Sequence, residues 1–313
     1  MLKLIVDTDI GSDCDDAGAL AVMHRLADEG LCDVLAVTHS LSRASGPAAI
    51  DAINRYYGRE DIPVGTLKYP GYYPAHVTAP YSDALQREYE NAYPPGVDCP
   101  DAVSLLRRLL AAQPDGSVEL VAIGPLTNIR FLLESPPDTC SPLSGEELLN
   151  RKLRRMCCMG GYFQMVGPHR RGAPVGGEFN IVSDVPSARI TVERLRVPLV
   201  FSPWETGAQI VVGRRLLERA DPENPVYRSY QLFCGCPRES WDLCTVLYAV
   251  CPDDKLWELS PPGVVTISEQ GVTAFREAPD GLSRILYARD PARIRLLLED
   301  MLLYEPRRIR QLA

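Results

Sequence analysis

The sequence of 313 residues has no uninterrupted apolar run of the roughly 18 residues that a membrane-spanning helix needs. It has no basic excess either: 33 Lys and Arg stand against 41 Asp and Glu, a formal net charge of −8. That sign disfavours a nucleic-acid backbone or an anionic membrane as the main partner, so neither is expected. The short basic cluster Arg151, Lys152, Arg154 and Arg155 reads as a solvated helix end. The first residues lack the length and cleavage pattern of a secretory leader, which leads to the expectation of a cytoplasmic protein. Zinc-ligand spacing is missing as well. Ten cysteines are scattered at positions 14, 32, 99, 140, 157, 158, 234, 236, 244 and 251. Cys234-Gly-Cys236 is the one tight pair outside RRMCCMGGY, and it has neither a second pair nor a nearby histidine. In a reducing compartment these thiols are expected to serve as small buried hydrophobes.

What is present is an ordinary globular composition, 46% hydrophobic and 24% charged, with no internal repeat or low-complexity linker. Short apolar runs alternate with helix-like segments. LKLIV (2–6), CDVLAVTHS (32–40), VELVAIG (118–124), MCCMGG (156–161) and LVFSPW (199–204) read as buried strands. Ala17, Leu20, Ala21, His24 and Leu26/Ala27 recur at helical spacing up to Gly30, and 47–58, 101–113, 126–135 and 291–303 read as further helices. This alternation predicts a single α/β domain over residues 1–313, a mainly parallel central sheet flanked by helices. VVTISEQGVTAF (264–275) predicts a small antiparallel hairpin near the C-terminus. The Pro- and Tyr-rich stretch 69–99 reads as a long irregular loop of the kind that walls a pocket.

The densest chemistry lies in IVDTDIGSDCDDAGAL (5–20). Asp7, Asp9, Asp13, Asp15 and Asp16 fall within ten residues, between the first strand and the first helix. In an open parallel sheet, ligands bind outside the carboxyl ends of the strands, and this cluster stands there. One Asp at a helix start is a cap; five exceed what capping uses. Hard oxygen ligands in that number point to calcium or magnesium. The EF-hand pattern fails, since Gly18 stands where its Glu is needed. A phosphatase DxDx[T/V] loop also fits poorly, with Gly11 at its Thr/Val position.

VDTDIGSDCDDAGAL resembles the N-terminal signature of the nucleoside hydrolases of the inosine–uridine-preferring type. Three further stretches follow in that family's order: AIGPLTN (122–128), MGGY with GEFN (159–162 and 177–180), and SWDLCTVL (240–247). The resemblance implies a nucleoside hydrolase-like fold and calcium-dependent hydrolysis of ribonucleosides to free base and ribose. It implies a Ca2+ ion held by Asp9, Asp16, the carbonyl of Ile123 and Asp242, with Asp9 also the general base. Asp15, Glu178 and Asn180 would bind the ribose. The chemistry suits these types: charge builds on the sugar in an oxocarbenium-like state, a divalent ion lowers the pKa of a water, and a carboxylate takes its proton. A small-molecule nucleoside partner and a homodimer or homotetramer are implied as well.

The sequence departs from the family in three places. Ser12-Asp13-Cys14 makes the first motif two residues longer, so Asp13 is an alternative ligand. VTHSLS (37–42) replaces the usual Val-Gly-Asn, putting Ser40 and His39 at that position as candidate substrate-binding groups. Trp241 precedes the late Asp where many relatives carry a proton-donating His, and an indole there could stack on a purine. Tyr72, Tyr73, His76, Tyr81, Trp204 and Glu205 are further candidates for the base pocket. Two rival readings stay open on the residues alone: a magnesium phosphohydrolase with Asp7 or Asp9 as nucleophile, and a non-catalytic ribosyl-binding protein.

Overall fold

The computed structural model describes residues 1–11, 13–69, 80–164, 174 and 176–306; Ser12, Tyr72, Tyr73 and His76 lie outside them. Its strands are β1 (Leu2–Thr8), β2 (Cys32–His39), β3 (Val64–Thr66), β4 (Val118–Ala122), β5 (Leu153–Met159), β6 (Leu199–Ser202), β7 (Val211–Val212), β8 (Arg238–Glu239), β9 (Trp257–Leu259), β10 (Gly263–Ile267), β11 (Thr273–Glu277) and β12 (Ser283–Ala288). Ten of them form one sheet in the order β11-β10-β12-β6-β5-β4-β1-β2-β3, with β9 beside β12. Every pairing from β3 through β6 to β12 is parallel. The expected antiparallel hairpin is β10–β11. A separate antiparallel pair, β7–β8, lies off the sheet.

Period-two alternation of apolar side chains explains why both faces are covered. Leu4 and Val6 of β1 enter one core, and Ile5 between them enters the other. β4, β5 and β6 repeat the pattern, with Val121, Cys157 and Val200 on the first side and Leu120, Met156, Cys158 and Phe201 on the second. Helices Asp15–Asp28 and Trp241–Val250 close the first core through residues such as Leu20, Met23, Leu243 and Leu247. Helices Ala102–Ala111, Thr127–Glu134 and Gly145–Lys152 close the second. Each fully buried side chain of this kind contributes roughly 1.5–3 kcal/mol.

The strand order decides where a ligand fits. From β1 the chain moves outward to β2 and β3, then returns to place β4 on the other side of β1. The switch point is thus between β1 and β4, and a crevice is expected at their carboxyl ends. Thr8 ends β1 there with Asp9 next, and Ile123 and Gly124 follow β4.

Three expectations need correction. The stretch 69–99 is not loop throughout: it contains the helix Pro80–Glu88, which buries Tyr81, Ala84 and Leu85 at helical spacing. The basic cluster is only half a helix end. Arg151 and Lys152 finish Gly145–Lys152 and pair with Asp115, whereas Arg154 and Arg155 lie on β5. Arg155 donates to the fully buried Glu119 at 2.5 Å and to the Tyr248 hydroxyl at 3.0 Å. Of the cysteines, 14, 32, 99, 157, 158 and 244 are buried, but 140, 234 and 236 are exposed. Among the described residues no helix is long and apolar enough to cross a membrane.

Candidate active site

The acidic segment turns sharply after β1. The hydroxyl of Tyr81 accepts from the Gly11 amide at 2.6 Å and donates to the Asp13 carbonyl at 2.6 Å, so one buried side chain spans the turn. Asp15 and Asp16 then occupy the first turn of helix Asp15–Asp28, where the helix dipole favours negative charge. Thr8 fixes Asp16: its hydroxyl donates to Asp16 Oδ1 and accepts from the Ile10 amide at 3.1 Å. Asp242 lies in the first turn of helix Trp241–Val250, which packs on Asp15–Asp28, and its amide donates to Asp15 Oδ2 at 3.1 Å.

Asp15, Asp16 and Asp242 therefore meet although 226 positions separate Asp16 from Asp242 (242 − 16). One oxygen from each lies within 4.8 Å of the others, and all three residues are buried. Burial pushes all three carboxyls well above the usual range, and the charges of neighbouring aspartates, Asp9 and Asp13 among them, push further. Asp9 is also buried, and its charge acts on all three, but its carboxylate is not part of that 4.8 Å group. Asp16 Oδ2 is buried without a hydrogen-bond partner. Buried like charges with an orphaned oxygen fit a divalent cation, and an all-oxygen donor set fits a hard one.

The floor of the site is built from the end of β4. A Cβ on Gly124 would stand 2.8 Å from the Asp9 amide nitrogen and 2.5 Å from Ser40 Oγ, so only glycine lets Asp9 and Ser40 come this close. The Ile123 carbonyl accepts from Asn180 Nδ2 at 3.3 Å, which brings these two predicted residues together. Asn180 also donates to the Met159 carbonyl at 3.2 Å. Glu178 caps helix Phe179–Ser183, accepting from the amides of Gly161, Asn180 and Ile181 at 2.9–3.2 Å. Burial raises its carboxyl to about 7, and those three amides oppose the rise.

The remaining candidates have the following surroundings. His39 is fully buried, its ring packed where a Gly46 side chain would stand and its Nδ1 3.3 Å from Thr66 Oγ1. Burial lowers it to about 4, so it is neutral. Tyr81 spends its hydroxyl on the turn. Asp13 is held by Arg238 and stands outside the carboxylate group. Trp241 donates its indole N–H to the Trp204 carbonyl at 2.9 Å, with the two rings 6.4 Å apart. Glu205 accepts from the Phe163 amide at 2.8 Å.

Sequence reasoning gave Asn128 and Asp7 no such part. Asn128 Nδ2 donates to Asp7 Oδ1 at 2.8 Å and to the His39 carbonyl at 3.0 Å, joining β1 and β2 beneath the site. Asp7 is fully buried, its carboxyl raised to about 7 by burial, and Thr38 donates to it at 2.5 Å.

A family model described as inosine-uridine preferring nucleoside hydrolase matches residues 4–280. The chain belongs to that family. Among its relatives, the non-specific ribonucleoside hydrolase RihC of Escherichia coli strain SE11 is 31% identical over 180 residues, 54% of this chain and 52% of that protein. The match thus spans about half the length of the curated relative. Two solved structures share the fold. A plant nucleoside hydrolase has a TM-score of 0.72 at 21% identity, covering 96% of this chain and 99% of its own. An inosine-uridine preferring nucleoside hydrolase from Bacillus anthracis has a TM-score of 0.73 at 18% identity, with the same coverage. Asp7, buried and locked by Thr38 and Asn128, is part of the scaffold, and the phosphohydrolase reading loses one of its two nucleophiles.

Proposed function

We propose that the protein is a calcium-dependent ribonucleoside hydrolase, cleaving the N-glycosidic bond to release a free base and ribose. One observation carries the reading: in a chain of this family, buried acids from both ends meet at the carboxyl end of β1, at the switch point. Asp9, Asp16, Asp242 and the Ile123 carbonyl are the residues we assign to the ion, and Asp15 lies close enough to share it. When bound, the cation neutralises these acids and makes a water more acidic.

The chain's own groups do the rest. Asp9 takes the proton from the attacking water as general base. Asp15, with Glu178 and Asn180 near the Ile123 turn, holds the ribose hydroxyls so that the anomeric carbon faces that water. The surrounding carboxylates favour the positive charge that develops on the sugar. Trp241, with Trp204 beside it, forms the apolar wall for the base, a surface suited to a purine.

The test is a reducing-sugar assay with inosine, adenosine, guanosine, uridine, cytidine and nicotinamide riboside, with and without chelator. Sugar release that stops on chelation and returns with calcium is expected. Asp9→Asn should lose at least about a hundredfold in kcat with the fold intact, in line with a lost general base. Full turnover by that variant would sink the assignment. Phosphate release from phosphomonoesters without sugar release from nucleosides would sink the whole reading.

A further inference from the structure

The longer first motif brings an extra acid, Asp13, and the late segment brings a base that meets it. Arg238 Nε donates to both Asp13 oxygens, at 2.9 and 3.0 Å, and Nη2 donates to Asp13 Oδ2 as well. Nη1 donates to Glu239 Oε2 at 3.0 Å. The guanidinium carbon also lies 4.9 Å from the Trp241 ring centroid and 5.5 Å from that of Phe233. Arg238 is itself buried and sits on β8, where pairing with Val212 fixes its backbone. One planar cation thus touches the turn leading into Asp15 and Asp16 and the residue preceding Asp242.

We propose that Arg238 is a positioning residue of the site: its fork on Asp13 sets the turn that delivers Asp15 and Asp16, and its plane on Trp241 sets the indole at the base end. The part concerning substrate rests on the nucleoside hydrolase reading; the parts concerning the ion and the indole do not. A charge role and a positioning role predict opposite results. Were Arg238 only a counter-charge, its removal would leave the acids more negative and tighten calcium binding. Lys would then replace it without loss. A positioning role needs the planar fork and the stack, neither of which Lys provides.

The experiment compares Arg238→Lys, Arg238→Gln and the double variant D13N/R238Q with the wild type. Calcium binding is read by calorimetry, indole emission in normal and Trp241→Phe backgrounds, and KM and kcat on inosine at saturating calcium. Both single variants are expected to weaken calcium binding by about tenfold or more, as lost outer-shell partners do. KM should rise more than kcat falls, and emission should shift only where Trp241 is present. If Arg238→Gln does not fold, Arg238→Lys still keeps a cation beside Asp13 and Glu239, and the double variant strands no Asp13 carboxylate. It should keep the weakened calcium binding. Wild-type behaviour of Arg238→Lys, tighter calcium binding by Arg238→Gln, or recovery of wild-type calcium affinity in the double variant would each overturn the proposal. A wild type that hydrolyses no nucleoside would refute the functional reading instead, and the calcium and emission comparisons would still decide Arg238.

Discussion

Replacing Asp242 with Asn should change stability with opposite signs in the presence and absence of calcium. Asp15, Asp16 and Asp242 each offer an oxygen within 4.8 Å of the others, in a site that excludes water. At an effective dielectric of 20, two full charges at that separation repel by about 3 kcal/mol. Without an ion the cluster escapes part of this by holding protons, the sense in which all three carboxyls are shifted. Asn at 242 removes one charge and leaves the backbone amide that donates to Asp15 in place. In chelator, Asp242→Asn should therefore be more stable than the wild type. In calcium the order should reverse. Free ion at a hundred times its dissociation constant adds about 2.7 kcal/mol to a protein that binds it only when folded. At about 2.1 cal/mol/K per residue, 313 residues give an unfolding entropy of about 0.65 kcal/mol/K. The wild type should thus gain about 4 °C in Tm on adding calcium, and Asp242→Asn should gain little. Thermal melts of both proteins, each in EDTA and in calcium, measure all four values. An unchanged calcium increment in the variant, or a variant less stable than the wild type in EDTA, would refute the shared site.

Gly124→Ala should fold poorly or lose most activity, because its Cβ would meet Asp9 and Ser40 atoms at 2.5–2.9 Å; sugar release within twofold of the wild type would show that the turn yields freely. His24 lies away from the carboxylates, bonded to Asn54 at 2.9 Å and stacked on Tyr57, and burial lowers it from 6.5 to about 3. The unfolded chain therefore binds a proton between those values that the folded chain does not, and stability falls as pH falls through that window. From pH 6.5 to 5 the loss is about 1.6 kcal/mol, and in urea titrations His24→Phe should be flatter over this range. Arg155→Met strands the buried Glu119 and should cost about 3–5 kcal/mol at pH 7, less for the R155M/E119Q pair; equal losses in the two would deny that the ion pair matters.

The parallel core was legible because it is written locally. Leu4, Ile5 and Val6 form a continuous apolar run, and such a run bounded by turns has few options besides a strand covered on both faces. Short edge elements were harder. β12 reads SRILYA, too brief and mixed to stand out, and its pairings to β6, β9 and β10 give it a place. Helix Pro80–Glu88 was hidden by the prolines and tyrosines around it, which mark loops by composition even where Tyr81 and Leu85 recur at helical spacing.

The site divides along the same line. Carboxylates cluster visibly in sequence because a cation needs several of them, whereas the groups that orient them come from anywhere the fold allows. Asp13 looked like a spare ligand, and nothing local in the sequence couples it to Arg238, 225 positions later. His39 was a candidate because it falls beside Ser40 where the family's Val-Gly-Asn would stand, and the fold buries it as a neutral wedge against helix Ser45–Tyr56. A charge that must be cancelled leaves a mark on composition, but the choice of what cancels it is made by the tertiary structure. The extra acid of the first motif thus meets a guanidinium rather than joining the carboxylate group, and the departure that made the sequence look irregular becomes a brace between its two ends.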